Sequence, residues 1–267
     1  MAPDTTYIIQ SGSQAAHRLD TLARVCWPAT QAFLQRQGFE PGGRFLDVGC
    51  GSGDVSTRVA ATGLNVTGID VNPEVIAFAT QRAGTSSNVE FRAADITEVG
   101  TSGLEGFDVV YARCLLSHLP DPAAAMEALL SGLKPGGILL IEDVEVGGGW
   151  NAPPSAALQR YRDLYVAAAT ASGASPWVAA SFGAMAAALG AVDVHVDMVQ
   201  PVLREPRDQM IHALTMDAIA GPVRTHQLAE DHEVAALVKE LSDFAHTPNN
   251  ISTLPRFVQM AARRVDA

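Results

Sequence analysis

In FLDVGCGSGD, residues 45–54, the glycines at 49, 51 and 53 alternate with other residues directly after an apolar run, and the stretch ends on Asp54. A turn of this kind leaves the backbone bare where a strand passes into a helix, so a ligand can lie against N–H groups that no side chain covers. Two more acids follow short β-branched runs: Asp70 in NVTGIDVNP and Asp95 in FRAADIT. The first stands where an acid can accept both hydroxyls of a ribose; the second can accept from an exocyclic amine, with Ile96 beside the base. Together they point to an adenosine-type cofactor. A dinucleotide would want G-x-G-x-x-G, with a pyrophosphate on the amides. Here Asp54 holds the place of that third glycine, which disfavours a pyrophosphate and suits a ligand carrying positive charge.

Further along, His118 in LLSHLPDP has a side chain whose ordinary pKa suits a general base. The other reading is a residue that caps or packs the next turn. Glu142 and Asp143 close ILLIED, within reach of a substrate amine or hydroxyl or placed to cap the following loop. Trp150, Tyr161 and Tyr165 come after it and either stack on an aromatic acceptor or serve as core aromatics. No metal is expected, because His226 and His232 do not share a helix face and no carboxylate cluster accompanies them.

The elements that must hold these residues alternate. Strands are expected at FLDVG, NVTGID, VEFRAAD, FDVVYAR and GILLIED, with helices over 54–62, 73–83 and 121–133, the pattern of a parallel sheet. Beyond it come a loop at 147–155, an amphipathic stretch at 156–172, an alanine-rich helix at 178–189 and the strand VDVHVDMV, whose alternation predicts one wet face. Residues 206–246 read as polar helices and FVQMAARR as a final strand. One domain is expected, its core at 40–147, 178–203 and 254–267, with helical additions at 1–39, 148–177 and 204–253 covering the carboxyl ends of the strands, where open α/β sheets bind ligands.

A formal charge of −11 argues against a surface that tracks nucleic-acid phosphates, and no apolar segment is long enough to span a bilayer. The three cysteines, odd in number and far apart, suggest neither a disulfide framework nor a thiolate zinc site, and a cytoplasmic protein is expected. Its expected partners are a small molecule and, at most, a second copy of the chain as a homodimer.

FLDVGCGSGD, GIDVNPEVI at 68–76, AADI at 93–96, FDVVYARCLLSHLPDP at 107–122 and LKPGGILLIED at 133–143 in combination resemble the class I S-adenosyl-L-methionine (SAM) dependent methyltransferases. The resemblance implies a Rossmann-like sheet, mostly parallel with the last strand antiparallel, under helical lid insertions. It also implies sites: Asp47, Gly49, Gly51 and Gly53 along the methionine and ribose, Asp70 on the ribose hydroxyls, Val71 on the adenine face, Asp95 and Ile96 at the adenine edge, and Ala112 and Arg113 beside the methionine. The flank at 7–30 is similar to a bacterial small-molecule branch in which an aromatic and an arginine close over the methionine end. Tyr7 and Arg24 are the candidates; packing and a surface ion pair are their other readings.

The implied activity is methyl transfer to an O, N or C nucleophile of a small, aromatic bacterial specialised metabolite, with S-adenosyl-L-homocysteine (SAH) as product. The absence of a [DNS]-P-P-Y loop in YARCLLSHL, after the fourth strand, speaks against nucleic-acid bases as acceptors. Two rival readings are a protein that uses SAM to cyclise a substrate or to regulate, and a nicotinamide-dependent oxidoreductase.

Overall fold

The computed structural model describes residues 13–96 and 103–265, the side chains of 13–16 excepted. Its main sheet has seven strands: β1 (Arg44–Val48), β2 (Asn65–Asp70), β3 (Val89–Ala93), β4 (Phe107–Arg113), β5 (Leu133–Glu145), β7 (Val192–Val199) and β10 (Arg256–Arg263), in the order β3-β2-β1-β4-β5-β10-β7. The first five pair in parallel, and β10 runs antiparallel to both neighbours. Short β-branched runs buried on both faces are what a parallel sheet requires, and the expected strands fall on these elements.

The helices between the parallel strands start where the chain's capping chemistry puts them. Asn72 accepts from the Glu74 N–H ahead of Pro73 and opens α3 (Pro73–Ala83); Asp121 accepts from Ala124 ahead of Pro122 and opens α4 (Pro122–Gly132). On one face of the sheet Val110, Ala112, Leu139 and Ile141 pack on α4 and on α6 (Phe182–Ala188). On the other, Phe45, Val109, Tyr111 and Leu140 pack on α1 (Ser13–Gln35) and α2 (Asp54–Ala60). Each large side chain so buried contributes about 1.5–3 kcal/mol.

The cover has a hydrophobic centre of its own, where Leu158, Leu164, Met216, Val223, Leu237 and Leu241 meet from α5 (Ala156–Ala171), α8 (Ile211–Ala218), α9 (Ala220–Thr225) and α10 (Asp231–His246). It is not purely helical, as expected from the sequence: β6 (Asn151–Ala152), β8 (Val202–Leu203) and β9 (Ile251–Thr253) form a second, three-stranded sheet. Segments of two or three residues are too short to show a period, and their pairing is visible only in three dimensions. The 178–189 helix is also shorter than expected, its first turn, Val178–Ser181, being 3₁₀. A third departure is β7. Its alternation is present, but Val192, Val196 and Met198 are exposed along with Asp193, His195 and Asp197, because β7 is an edge strand and the two-turn α6 covers only part of its apolar face.

Candidate active site

A cavity of about 630 Å³ opens at the carboxyl ends of the parallel strands and runs under the cover. The glycine turn forms one end. Gly49 and Cys50 both donate to the Ile69 carbonyl (2.8 and 2.9 Å), which pins the turn to the end of β2. Its glycines do different jobs. Gly51 has positive φ and nothing within 4 Å of where a Cβ would stand, so its backbone faces open space in the cavity wall. A Cβ on Gly53 would stand 2.6 Å from the Phe91 ring, so this glycine, which does not line the cavity, lets α2 close on β3. The packing task read onto Asp54 in the dinucleotide pattern is thus done one residue earlier. Asp54 itself is nearly buried and pairs with Arg58 (2.9 Å) and Arg82 (3.5 Å), so its charge is compensated within the fold instead of waiting for a cationic ligand.

The acids of this end converge. Asp70 accepts the Gly51 N–H on Oδ2 (3.1 Å) and the Asn72 N–H on Oδ1 (3.0 Å), so it braces the turn and still borders the cavity. Asp47 is buried and accepts from Ser56 Oγ at 2.5 Å. Burial pushes its carboxyl up to about 6, against the opposing pull of Ser56 and the nearby Arg113 charge. Asp95 and Ile96 line the wall with Val71, which is 63% exposed, a large apolar side chain standing open beside an acid. An apolar face, an acid edge, a second acid and a turn with no side chain at Gly51 are a set of surfaces and acceptors that fits adenosine.

The other end is built from the cover and the turn after β4. Arg18 and Leu22 of α1, Tyr161 and Tyr165 of α5, Ile211, His212 and Thr215 of α8, and His118 all border it. The tyrosine ring centroids are 6.5 Å apart, and Tyr161 also meets His212 edge-on at 5.7 Å. His118 is buried in a 3₁₀ turn, Leu116–His118. Burial, with the Arg18 charge, pushes it down to about 4, and burial with Arg162 pushes His212 down to about 3, so both imidazoles are neutral at ordinary pH. His212 Nε2 lies 3.0 Å from Ser252 Oγ.

Asp143 ties the turn after β4 to β5. It accepts from Leu115 N–H (3.1 Å), Ser117 N–H (3.0 Å), Ser117 Oγ (2.7 Å) and Val144 N–H (2.8 Å), and so holds the turn that carries His118. It takes the capping role, for the turn after β4 and not for the loop after β5.

Besides Gly53 and Asp143, four sequence candidates lie away from the cavity. Glu142 points to the opposite face from Asp143, as successive strand residues must, and its carboxylate is occupied by the Tyr111 hydroxyl (2.6 Å) and Gln259 Nε2 (2.6 Å); it does not border the cavity. Ala112, out of phase with Arg113 in the same way, is core; Arg113 borders the cavity and donates to Thr30 Oγ1 (3.3 Å). Trp150 is 47% exposed, outside the cavity, in the segment leading to β6. Arg24 makes an ion pair with Asp208, its alternative reading, and Tyr7 lies outside the described residues. Arg18, His212 and Thr215 were missed. A charged residue one turn before the stripe of half-buried Leu22 and buried Ala23 and Cys26 is the signal that would have drawn attention to Arg18.

The methyltransferase domain family matches residues 39–173, half of the chain. The chain belongs to the SAM-dependent methyltransferases. Among curated members, it is 39% identical to phosphoethanolamine N-methyltransferase 1 of Arabidopsis thaliana over 116 residues, 43% of this chain and 23% of that protein. To the ubiquinone biosynthesis O-methyltransferase of Xanthomonas campestris it is 40% identical over 102 residues, 38% of this chain and 43% of the other. It therefore spans less than half the length of these curated relatives. Among solved structures, Haemonchus contortus phosphoethanolamine N-methyltransferase 2 in complex with phosphomonomethylethanolamine and SAH superposes with TM-score 0.58 at 23% identity, over 90% of this chain and 53% of that one. The cyclase SpnF does so with TM-score 0.54 at 23% identity, over 98% and 86%. At such identities the superpositions establish a shared fold. The mostly parallel methyltransferase sheet with its antiparallel strand is the one expected from the sequence, and the family's cofactor is SAM.

Proposed function

We propose that this methyltransferase transfers a methyl group from SAM to an O, N or C nucleophile of a small aromatic metabolite of bacterial specialised metabolism, releasing SAH. The observation that carries the reading is the two-ended cavity, with the glycine turn and its acids at one end and Tyr161, Tyr165 and two neutral imidazoles at the other. When bound, SAM supplies an electrophilic methyl on its sulfonium. Asp70 would hold the ribose, Val71, Asp95 and Ile96 the adenine, and Asp47, Gly49, Gly51 and Arg113 the remainder, while Gly53 keeps the turn closed from behind.

In-line displacement needs the nucleophile held at contact distance in a dry pocket. Tyr161 and Tyr165, both packed on the centre of the cover, supply flat walls for a ring. His118, neutral and weakly basic, would accept a hydrogen bond from the nucleophile. A group that holds its proton only below about pH 4 cannot strip a phenol efficiently, so orientation is its main contribution. The same proposal places the protein in the cytoplasm, in keeping with its three free cysteines.

Incubation with methyl-labelled SAM and a panel of phenols, indoles and aryl amines, followed by mass spectrometry, tests the reading. A product heavier by one methyl is expected. Substrate turnover with no label incorporated, or cyclisation alone, would overturn it.

A further inference from the structure

Arg18 is 6% exposed, it borders the cavity, and its Nε is shut off from solvent with no hydrogen-bond acceptor. Among the described residues no carboxylate pairs with it. A buried charge normally has a partner or sheds its proton. A lysine or histidine could take the second route, but a guanidinium cannot be deprotonated in a protein. Among the described residues none supplies the counter-charge, the cavity that Arg18 borders gives a ligand access to it, and a planar fork of N–H donors matches the paired oxygens of a carboxylate or phosphate.

Its surroundings show which end of the cavity that anion occupies. The Arg18 charge acts on His118, Tyr161 and Tyr165, all groups of the cover and the turn after β4. The cation felt in the glycine-turn end is a different one, Arg113, whose charge reaches Asp47. The third arginine of the cavity wall, Arg162, already donates to Asn151 Oδ1 (3.2 Å).

Building on the methyltransferase reading above, we propose that Arg18 binds an anionic group of the methyl acceptor, so that the enzyme selects acceptors carrying a carboxylate or phosphate and seats that group between α1 and the Tyr161–Tyr165 wall.

Calorimetry on the full chain tests this. SAH is titrated first; the SAH-saturated protein is then titrated with 4-hydroxybenzoate, inorganic phosphate and neutral phenol. At least one of the two anions is expected to bind tenfold or more tighter than phenol. In Arg18→Gln that anion should lose at least tenfold in affinity while SAH stays within twofold, and Arg18→Lys, which keeps the charge without the fork, should fall between. If neither anion binds the SAH-loaded wild type, the proposal is overturned with the cofactor reading intact. If Arg18→Gln weakens SAH tenfold and leaves the anions unaffected, Arg18 holds the cofactor's carboxylate and the proposal is likewise overturned. Failure of the wild type to bind SAH at all would overturn the methyltransferase reading itself. Should Arg18→Gln not fold, the same comparisons are made on Arg18→Lys, where undiminished anion affinity counts against the proposal.

Discussion

The two ends of the cavity are made in different ways. The glycine-turn end is backbone geometry: Gly51 leaves open space where a side chain would stand, Asp70 braces the turn through two N–H groups, and Phe91 of β3 fits into the space left by Gly53 and Gly68. The cover end is side chains from α1, α5, α8 and the turn after β4, elements far apart in the chain and joined by apolar packing, with the turn held to β5 by one buried carboxylate, Asp143. The first cannot vary without losing the turn. The second can exchange an aromatic or a cation and keep the fold, which is how one family can hold a single cofactor and serve different acceptors.

The sharpest way to break the contrast is to overfill the glycine-turn end. A Cβ on Gly68 would stand 2.6 Å from the Phe91 ring, which Gly53 confines from its other side. Gly68→Val should therefore cost about 3 kcal/mol in chemical denaturation and weaken SAH binding as well. Asp70→Ala should lower SAH affinity about a hundredfold, about 2.7 kcal/mol, because it removes the proposed ribose acceptor together with both turn bonds; calorimetry would show it, and unchanged affinity would remove the assignment.

Acid acts on the two ends with opposite sign. His118 and His212 in the cover are held at about 4 and about 3 against an ordinary 6.5, so the stability of their neutral forms is complete above pH 6.5 and falls as the unfolded chain gains protons that the folded chain refuses. Each contributes a slope of about 1.4 kcal/mol per pH unit below its unfolded pKa. Asp47 in the glycine-turn end is raised from 3.8 to about 6, so the folded chain takes its proton first and gains stability as pH falls from 6 to 3.8. Two imidazoles outweigh one carboxyl, and Tm should fall between pH 6.5 and 4. His212→Gln should flatten that fall and Asp47→Asn should steepen it, both read by calorimetric melting.

Smaller effects separate the ends by ligand. Tyr165→Ala should raise the acceptor KM about tenfold and leave SAH affinity within twofold; loss of SAH binding would place the ring against the cofactor instead. Trp150→Ala should change neither by as much as twofold, since the indole lies outside the cavity.

How much of this was legible follows the same division. A strand, its turn and the next helix are a local affair: the alternation of apolar runs, the caps at Asn72 and Asp121 and the glycine spacing locate β1 to β5 and, with them, Asp47, Gly49, Gly51, Asp70, Val71, Asp95, Ile96 and Arg113 along the cavity. Glu142 and Asp143 show the limit. Both lie near the end of the same strand, yet its two-residue period sends one into a buried pair with Tyr111 and Gln259 and the other to the turn that holds His118. Arg18 and Arg24 show it again: six positions on a helix leave them about 120° apart around the axis, and only the docking of α1 decided that Arg18 enters the cavity while Arg24 meets Asp208.

The sequence by itself determined the fold, the family and the lining of the glycine-turn end, because those depend on contacts between neighbours in the chain and on glycines that nothing larger can replace. The sequence also offered His118, Tyr161 and Tyr165, but tertiary structure alone decided how the cover end is assembled, including the three-stranded sheet, the pairing of Tyr161 with His212 and the inward turn of a buried arginine. Those contacts join residues dozens to hundreds of positions apart, and no local period encodes which of them will meet.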